Sequence, residues 1–100
     1  MFLEEAFEIN EKGGKQSEIK VAFHLLPAKA TLKVAEVLHE GFKKYGKDNW
    51  RLIPSEDHLN HALYHVFKHL EGEDVTIEHI THFACRALMA LEMYLKEKNG

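Results

Sequence analysis

A single cysteine in 100 residues excludes an intramolecular disulfide, and Cys85, set in an apolar stretch, reads as a small buried side chain in a reducing compartment. Long apolar runs are missing too, since none approaches the roughly 20 residues that cross a bilayer. Residues 1–5 carry two acids where an export signal starts with basic residues. The expectation is a soluble cytoplasmic chain with no membrane partner. A net positive charge is also lacking. A formal charge of -3 gives no general attraction to duplex nucleic acid, which is bound mainly through neutralised phosphates. A small anion held by local cations is compatible with that balance. Several catalytic signatures are absent as well: no Gly-rich phosphate loop follows a strand, no Cys-rich or HExxH pattern marks zinc, and nothing is arranged like a serine or cysteine triad.

What remains is ordinary in bulk and odd in one respect. A hydrophobic content of 45% suits one core in one domain of this length. Eight histidines are the exception, because imidazole is the side chain most ready to bind metal, move protons or contact phosphate near neutral pH.

Periodicity predicts an all-α chain. Residues 3–12 read as a short helix with Leu3 and Phe7 on one side, stopped by Gly13-Gly14. Residues 15–27 read as a loop with a weak extended signal. From residue 28 to 45, Ala28, Leu32, Ala35, Leu38, Phe42 and Tyr45 recur every three or four positions and predict one buried stripe. Gly46 fits the stop, and Lys43 and Lys44 suit the negative end of the helix dipole. Residues 47–54 form a turn containing Asn49-Trp50-Arg51. Ser55 reads as the cap of a third helix to about residue 71, whose stripe is Leu59, Ala62, Leu63, Val66, Phe67 and Leu70. Thr76 reads as the cap of a last helix, 77–98, with Ile80, Ala84, Ala87, Leu88, Leu91 and Leu95 as its seam. Short connections favour antiparallel packing of the three main helices.

Within this scheme His58, His61, His65 and His69 share one strip of the third helix, roughly 120° from its apolar stripe. That predicts histidines outside the core, on a solvated polar face, a pocket wall or a subunit contact. His79 and His82 form a further pair on the last helix, within reach of His65 across an antiparallel pair. An HxxH pair alone is a weak zinc signal, because such sites need three or four ligands. Glu36 and Glu40, one turn apart, and Glu73-Asp74 after Gly72 offer carboxylates for magnesium, against the simpler reading as surface ion pairs and caps. The stretch Lys44-Tyr45-Gly46 with Asn49-Trp50-Arg51 gathers aromatics, an amide and cations that can stack a base and grip phosphate. Trp50 can equally plug the end of the core.

Taken together, Gly13-Gly14-Lys15-Gln16, Lys20 with Phe23-His24-Leu25-Leu26-Pro27, Gly41 with Lys43-Lys44-Tyr45-Gly46, Asn49-Trp50, Ala62 with His65, Gly72-Glu73-Asp74 and His79 resemble the phage dATP/dGTP diphosphohydrolases. These are small relatives of the all-helical MazG-like nucleotide pyrophosphohydrolases. The resemblance covers nearly all the chain after residue 12, and KYGxxNW and the spacing from His65 to Gly72-Glu73-Asp74 are its most specific parts. It implies a MazG-like helical fold, assembly into a homo-oligomer, and a nucleotide as small-molecule partner. Residues 1–14 are then an appendage and 15–100 a single nucleotide-binding domain. Together with the residues' own chemistry, it leads to expected ligand contacts at Lys15, Lys20, Phe23, Lys44, Tyr45, Asn49, Trp50, Arg51, His65, His79 and His82. Departures fall where catalysis is expected: Ala22-Phe23-His24 replaces the family's Arg-Phe-Asp, Tyr64-His65 replaces Arg-His, and only Val75 to Glu78 separates Asp74 from His79, where the family carries further acids. Two readings follow. A nucleotide-binding protein needing no cofactor would act as a phage sponge for a linear or cyclic nucleotide signal in the infected host cell. An active enzyme would use Mg²⁺ held by Glu36, Glu40, Glu73 and Asp74 to release monophosphate and pyrophosphate.

Overall fold

The computed structural model describes residues 7–75 and 77–99. It is mostly helical, with three α-helices, α1 (Ala28–Tyr45), α2 (Ser55–Leu70) and α3 (His79–Asn99), preceded by a small antiparallel hairpin of β1 (Phe7–Ile9) and β2 (Lys15–Ser17).

The hairpin adds two short strands to the expected helical chain and corrects the described part of the helix placed at 3–12. Residues 3–6 of that helix lie outside the described residues, and the rest falls in the hairpin, which pairs Phe7 with Ser17 and Ile9 with Lys15. Asn10 makes the turn: its side-chain oxygen accepts from the backbone N–H groups of Lys12 and Gly14, both at 2.9 Å. Gly13 takes a left-handed φ of 83°, which costs glycine nothing. The two glycines that looked like a helix stop therefore close a β-turn. The presumed loop at 15–27 holds β2 and a single 3-10 turn, Phe23–Leu25.

The main helices fall where periodicity put them, α1 with the same bounds. Gly46, at φ 90°, ends α1 and donates its N–H to the Phe42 carbonyl. Asp48, left-handed at φ 60°, opens a short 3-10 helix, Asn49–Leu52. Ser55 does not cap α2. It is the first helical residue, and its N–H and hydroxyl both donate to the Glu97 carboxylate near the far end of α3, at 2.9 and 2.6 Å. α3 begins at His79, whose N–H donates to Asp74 Oδ1 at 2.8 Å; the expected cap Thr76 lies outside the described residues. Contacts from Ser55 to Glu97 and from His69 to Asp74 make α2 and α3 antiparallel.

The helix faces contradict the expected core. α2 turns His58 toward Arg86 and His65 toward His79 and His82 of α3, and Ala62, Cys85, Ala90 and Met93 are buried. His58, predicted to lie outside the core, is fully buried at 0% exposure. Ala62 of the predicted stripes is buried, but most of their large members face outward: Phe67 is 63% exposed and Leu91 52%, with Leu59, Leu63, Leu70, Ile80, Leu88 and Leu95 also exposed. On α1, Val34 is buried while Leu32, Phe42 and Tyr45 are exposed. On α2 the histidine-bearing side has the intramolecular partner, while α1 buries Val34 and α3 buries Cys85, Ala90 and Met93 as well as His79. Hydrogen-bonded imidazoles make that burial tolerable.

Candidate functional site

A cavity of about 380 Å³ lies between α1, the Asn49–Leu52 turn and α3. α1 contributes Val37, Leu38, Glu40, Gly41, Lys44 and Tyr45; the turn region adds Asn49, Trp50 and Ile53; α3 adds His82, Cys85, Arg86 and Met89. The spacing 37, 41, 44 on α1 and 82, 85, 86, 89 on α3 puts each set on one side of its helix. Gly41 keeps the wall low, because a Cβ built there meets nothing within 4 Å.

Five residues expected at a ligand site, Lys44, Tyr45, Asn49, Trp50 and His82, thus meet around one opening. Lys44 sits 5.9 Å from the centre of the Tyr45 ring. Trp50 is already engaged: the Arg51 guanidinium lies 4.3 Å from its ring centre, and the His58 ring meets it edge-on at 6.3 Å. Arg51 in turn pairs with Asp48 at 3.2 Å and Glu92 at 3.4 Å, so its charge is spent on holding the turn.

His65 and His79 continue inward from His82. The Nδ1 atoms of His65 and His79 are 2.9 Å apart, and the rings of His65 and His82 are 5.2 Å between centres. Burial, then the neighbouring His82 and His79, pushes the His65 pKa down to about 4, and burial likewise lowers that of His82. The His65 and His82 rings are therefore neutral at pH 7 and offer N–H donors and lone pairs rather than fixed charge.

Lys15, Lys20 and Phe23 do not line this cavity. Lys15 borders a separate hollow in the hairpin, and all three are exposed. The four carboxylates proposed for magnesium are dispersed. Glu36 pairs with Lys33 at 3.8 Å, Glu40 with Lys43 at 3.2 Å, Glu73 with Lys68 at 2.8 Å, and Asp74 with His69 at 2.7 Å. Among the described residues, no group of three or more histidine, cysteine, aspartate or glutamate side chains is placed to hold a metal ion. The oxygen-rich shell that magnesium requires is therefore not assembled by these acids within one chain. Glu40 alone of the four reaches the cavity.

Sequence reasoning missed Arg86 here and put His58 outside the core. Arg86 brings a second cation to the cavity, and His58 holds it, with His58 Nδ1 at 3.0 Å from Arg86 Nη1. Arg86 follows His82 by one turn and His79 by two, so the face that carries the histidines also carries a guanidinium. The result is a half-open cavity with an apolar floor, aromatic and amide groups at the rim, and two cations, suited to a planar group bearing an anion.

A family model described as dATP/dGTP diphosphohydrolase, N-terminal, matches residues 10–100. No curated protein matches the chain, and no solved structure does.

Proposed function

The chain belongs to the dATP/dGTP diphosphohydrolase family, and from that membership we propose that it holds a nucleotide in the cavity between α1 and α3 without hydrolysing it. The carrying observation is a contrast. Lys44 and Arg86 converge on one cavity beside Tyr45 and Asn49, whereas the carboxylates needed for metal-assisted hydrolysis are scattered, three of them paired with lysines and Asp74 with His69. Phosphates lie against the two cations, His82 donates an N–H, and the base stacks on the exposed Tyr45 ring. Retention without turnover makes the protein a sponge for a nucleotide signal, linear or cyclic, in the cytoplasm of an infected cell.

The second reading is an active Mg²⁺-dependent diphosphohydrolase acting on dATP or dGTP, favoured by the family and by Glu40 at the cavity rim. In either case the working form is a homo-oligomer, supported by the exposed apolar stripes of α2 and α3. No helix among the described residues is long and apolar enough to cross a membrane, and the charge of -3 disfavours duplex nucleic acid as a partner.

The deciding experiment incubates the purified protein with dATP, dGTP and cyclic purine nucleotides in the presence of Mg²⁺. Protein-bound ligand and released products are then assayed separately. Intact nucleotide recovered on denaturation is the expected result. Catalytic release of monophosphate and pyrophosphate establishes the enzyme instead, and failure to retain or convert any nucleotide removes both readings.

A further inference from the structure

We propose that His58 is the positioning residue of this cavity, a buried imidazole that ties the Asn49–Leu52 turn to the Arg86 guanidinium and so fixes two walls in one arrangement. The proposal deepens the nucleotide reading and rests on it for its ligand. The hydrogen bonds leave one solution. The Trp50 carbonyl only accepts, so His58 Nε2, 2.8 Å away, donates; a guanidinium only donates, so Nδ1, 3.0 Å from Arg86 Nη1, accepts. A single neutral tautomer satisfies both partners. A protonated ring would set a donor against a donor.

Full burial of His58 raises the cost of losing either bond, because an unpaired ring nitrogen there finds no water. Trp50 and Arg86 both line the cavity, yet they come from different elements. His58 is bonded to both and is not itself a lining residue. It fixes one guanidinium nitrogen of Arg86 and leaves the remaining donors for an anion.

The test uses the full chain with dATP and inorganic triphosphate as probes, and the variants His58→Leu, His58→Gln, Arg86→Gln and the double variant His58→Leu/Arg86→Gln. Glutamine can donate and accept as the imidazole does. His58→Leu is expected to weaken binding of both probes by about tenfold, the range for displacing one charge-assisted contact, with most of it restored in His58→Gln. In the Arg86→Gln background His58→Leu is expected to cost nothing further, because the two residues act as one unit. A lowered Tm with normal affinity of the folded fraction overturns the proposal, as does a loss that adds to that of Arg86→Gln.

A ligand-free arm separates this failure from failure of the nucleotide reading. Nitrogen NMR of the His58 ring should find a neutral Nε2–H tautomer at pH 7 whose Nδ1 resonance moves in Arg86→Gln. An Nδ1–H or charged ring overturns the bridge. Should the wild type bind neither probe, the nucleotide reading falls and the NMR result decides the bridge by itself.

Discussion

At the scale of single residues, the cavity assigns different work to neighbours that look alike in the sequence. Tyr45 is exposed at the rim, whereas Trp50 is half-buried under Arg51 and against His58. Tyr45→Ala is therefore expected to weaken nucleotide binding by about tenfold, the loss of one stacked base, with little change in Tm. Trp50→Ala should chiefly lower Tm; calorimetry beside titration separates the two, and the reverse pattern would move the stacking face to Trp50. Gly41→Leu is the complementary case. A side chain there meets open space and removes a mid-helix glycine, so binding should be abolished while Tm holds or rises. The histidines set the pH response. The His65 pKa is pushed from 6.5 down to about 4, first by burial, and burial lowers those of His58 and His82. The unfolded chain then binds more protons across that interval, so stability is full above about pH 6.5 and falls as pH drops towards 4. Asp74 and Glu97, held low by the His79 N–H and by Ser55, lose their contribution only lower, in the carboxylate range. Melting curves from about pH 7.5 to about 4.5 should show this slope, flattened in His65→Gln; an unchanged slope would assign it to other groups.

At the scale of elements, α2 is capped by another helix. The N-terminal N–H groups of a helix need acceptors, and Ser55 finds one in Glu97 of α3 while spending its own hydroxyl on the same carboxylate. The contact also clamps one end of the antiparallel pair, just as the Arg51 to Glu92 pair ties the turn to α3. Glu97→Gln and Ser55→Ala should each lower Tm, and the double variant should melt no lower than the worse single, since both remove one interaction. Additive losses would mean that the two side chains stabilise the fold separately. The hairpin is the opposite kind of element. A two-stranded hairpin has little stability of its own in water, and every residue of both strands is exposed.

At the scale of the molecule, the surface is too large for the mass. The chain exposes 8566 Å², against about 5,800 Å² for a compact monomer of this size. Its radius of gyration is 18.1 Å, where about 13 Å is usual for this length. Outward-facing leucines, Ile80 and Phe67 on α2 and α3 contribute apolar surface to that excess, the kind of surface that assembly covers. Light scattering at micromolar concentration should find a dimer or larger assembly whose Tm rises with protein concentration. Phe67→Glu and Leu91→Glu should shift it toward monomer. A monomeric wild type, or assembly unaffected by either charge, would place the contact elsewhere or remove it.

The sequence by itself determined the three helices, their ends at Gly46 and Gly72, and the gathering of Lys44, Tyr45, Asn49 and Trp50, because periodicity, helix-stopping glycines and a short connector are local properties. It also determined that each helix is amphipathic. Which side of each helix meets another was decided only by tertiary structure. Apolar stripes and histidine strips are equally regular in one dimension, and hydrogen bonds from His58 to Trp50 and Arg86, or from His65 to His79, exist only once α2 and α3 are side by side. The same holds for Arg86 at the cavity and for Glu97 on Ser55. Nor could a helical reading of residues 3–12 anticipate the hairpin, since Phe7 and Ile9 alternate over too short a span to outweigh it. Asn10, Gly13 and the partner strand at Lys15–Ser17 supply the bonds that settle the matter, because a strand, unlike a helix, takes its hydrogen bonds from elsewhere in the chain.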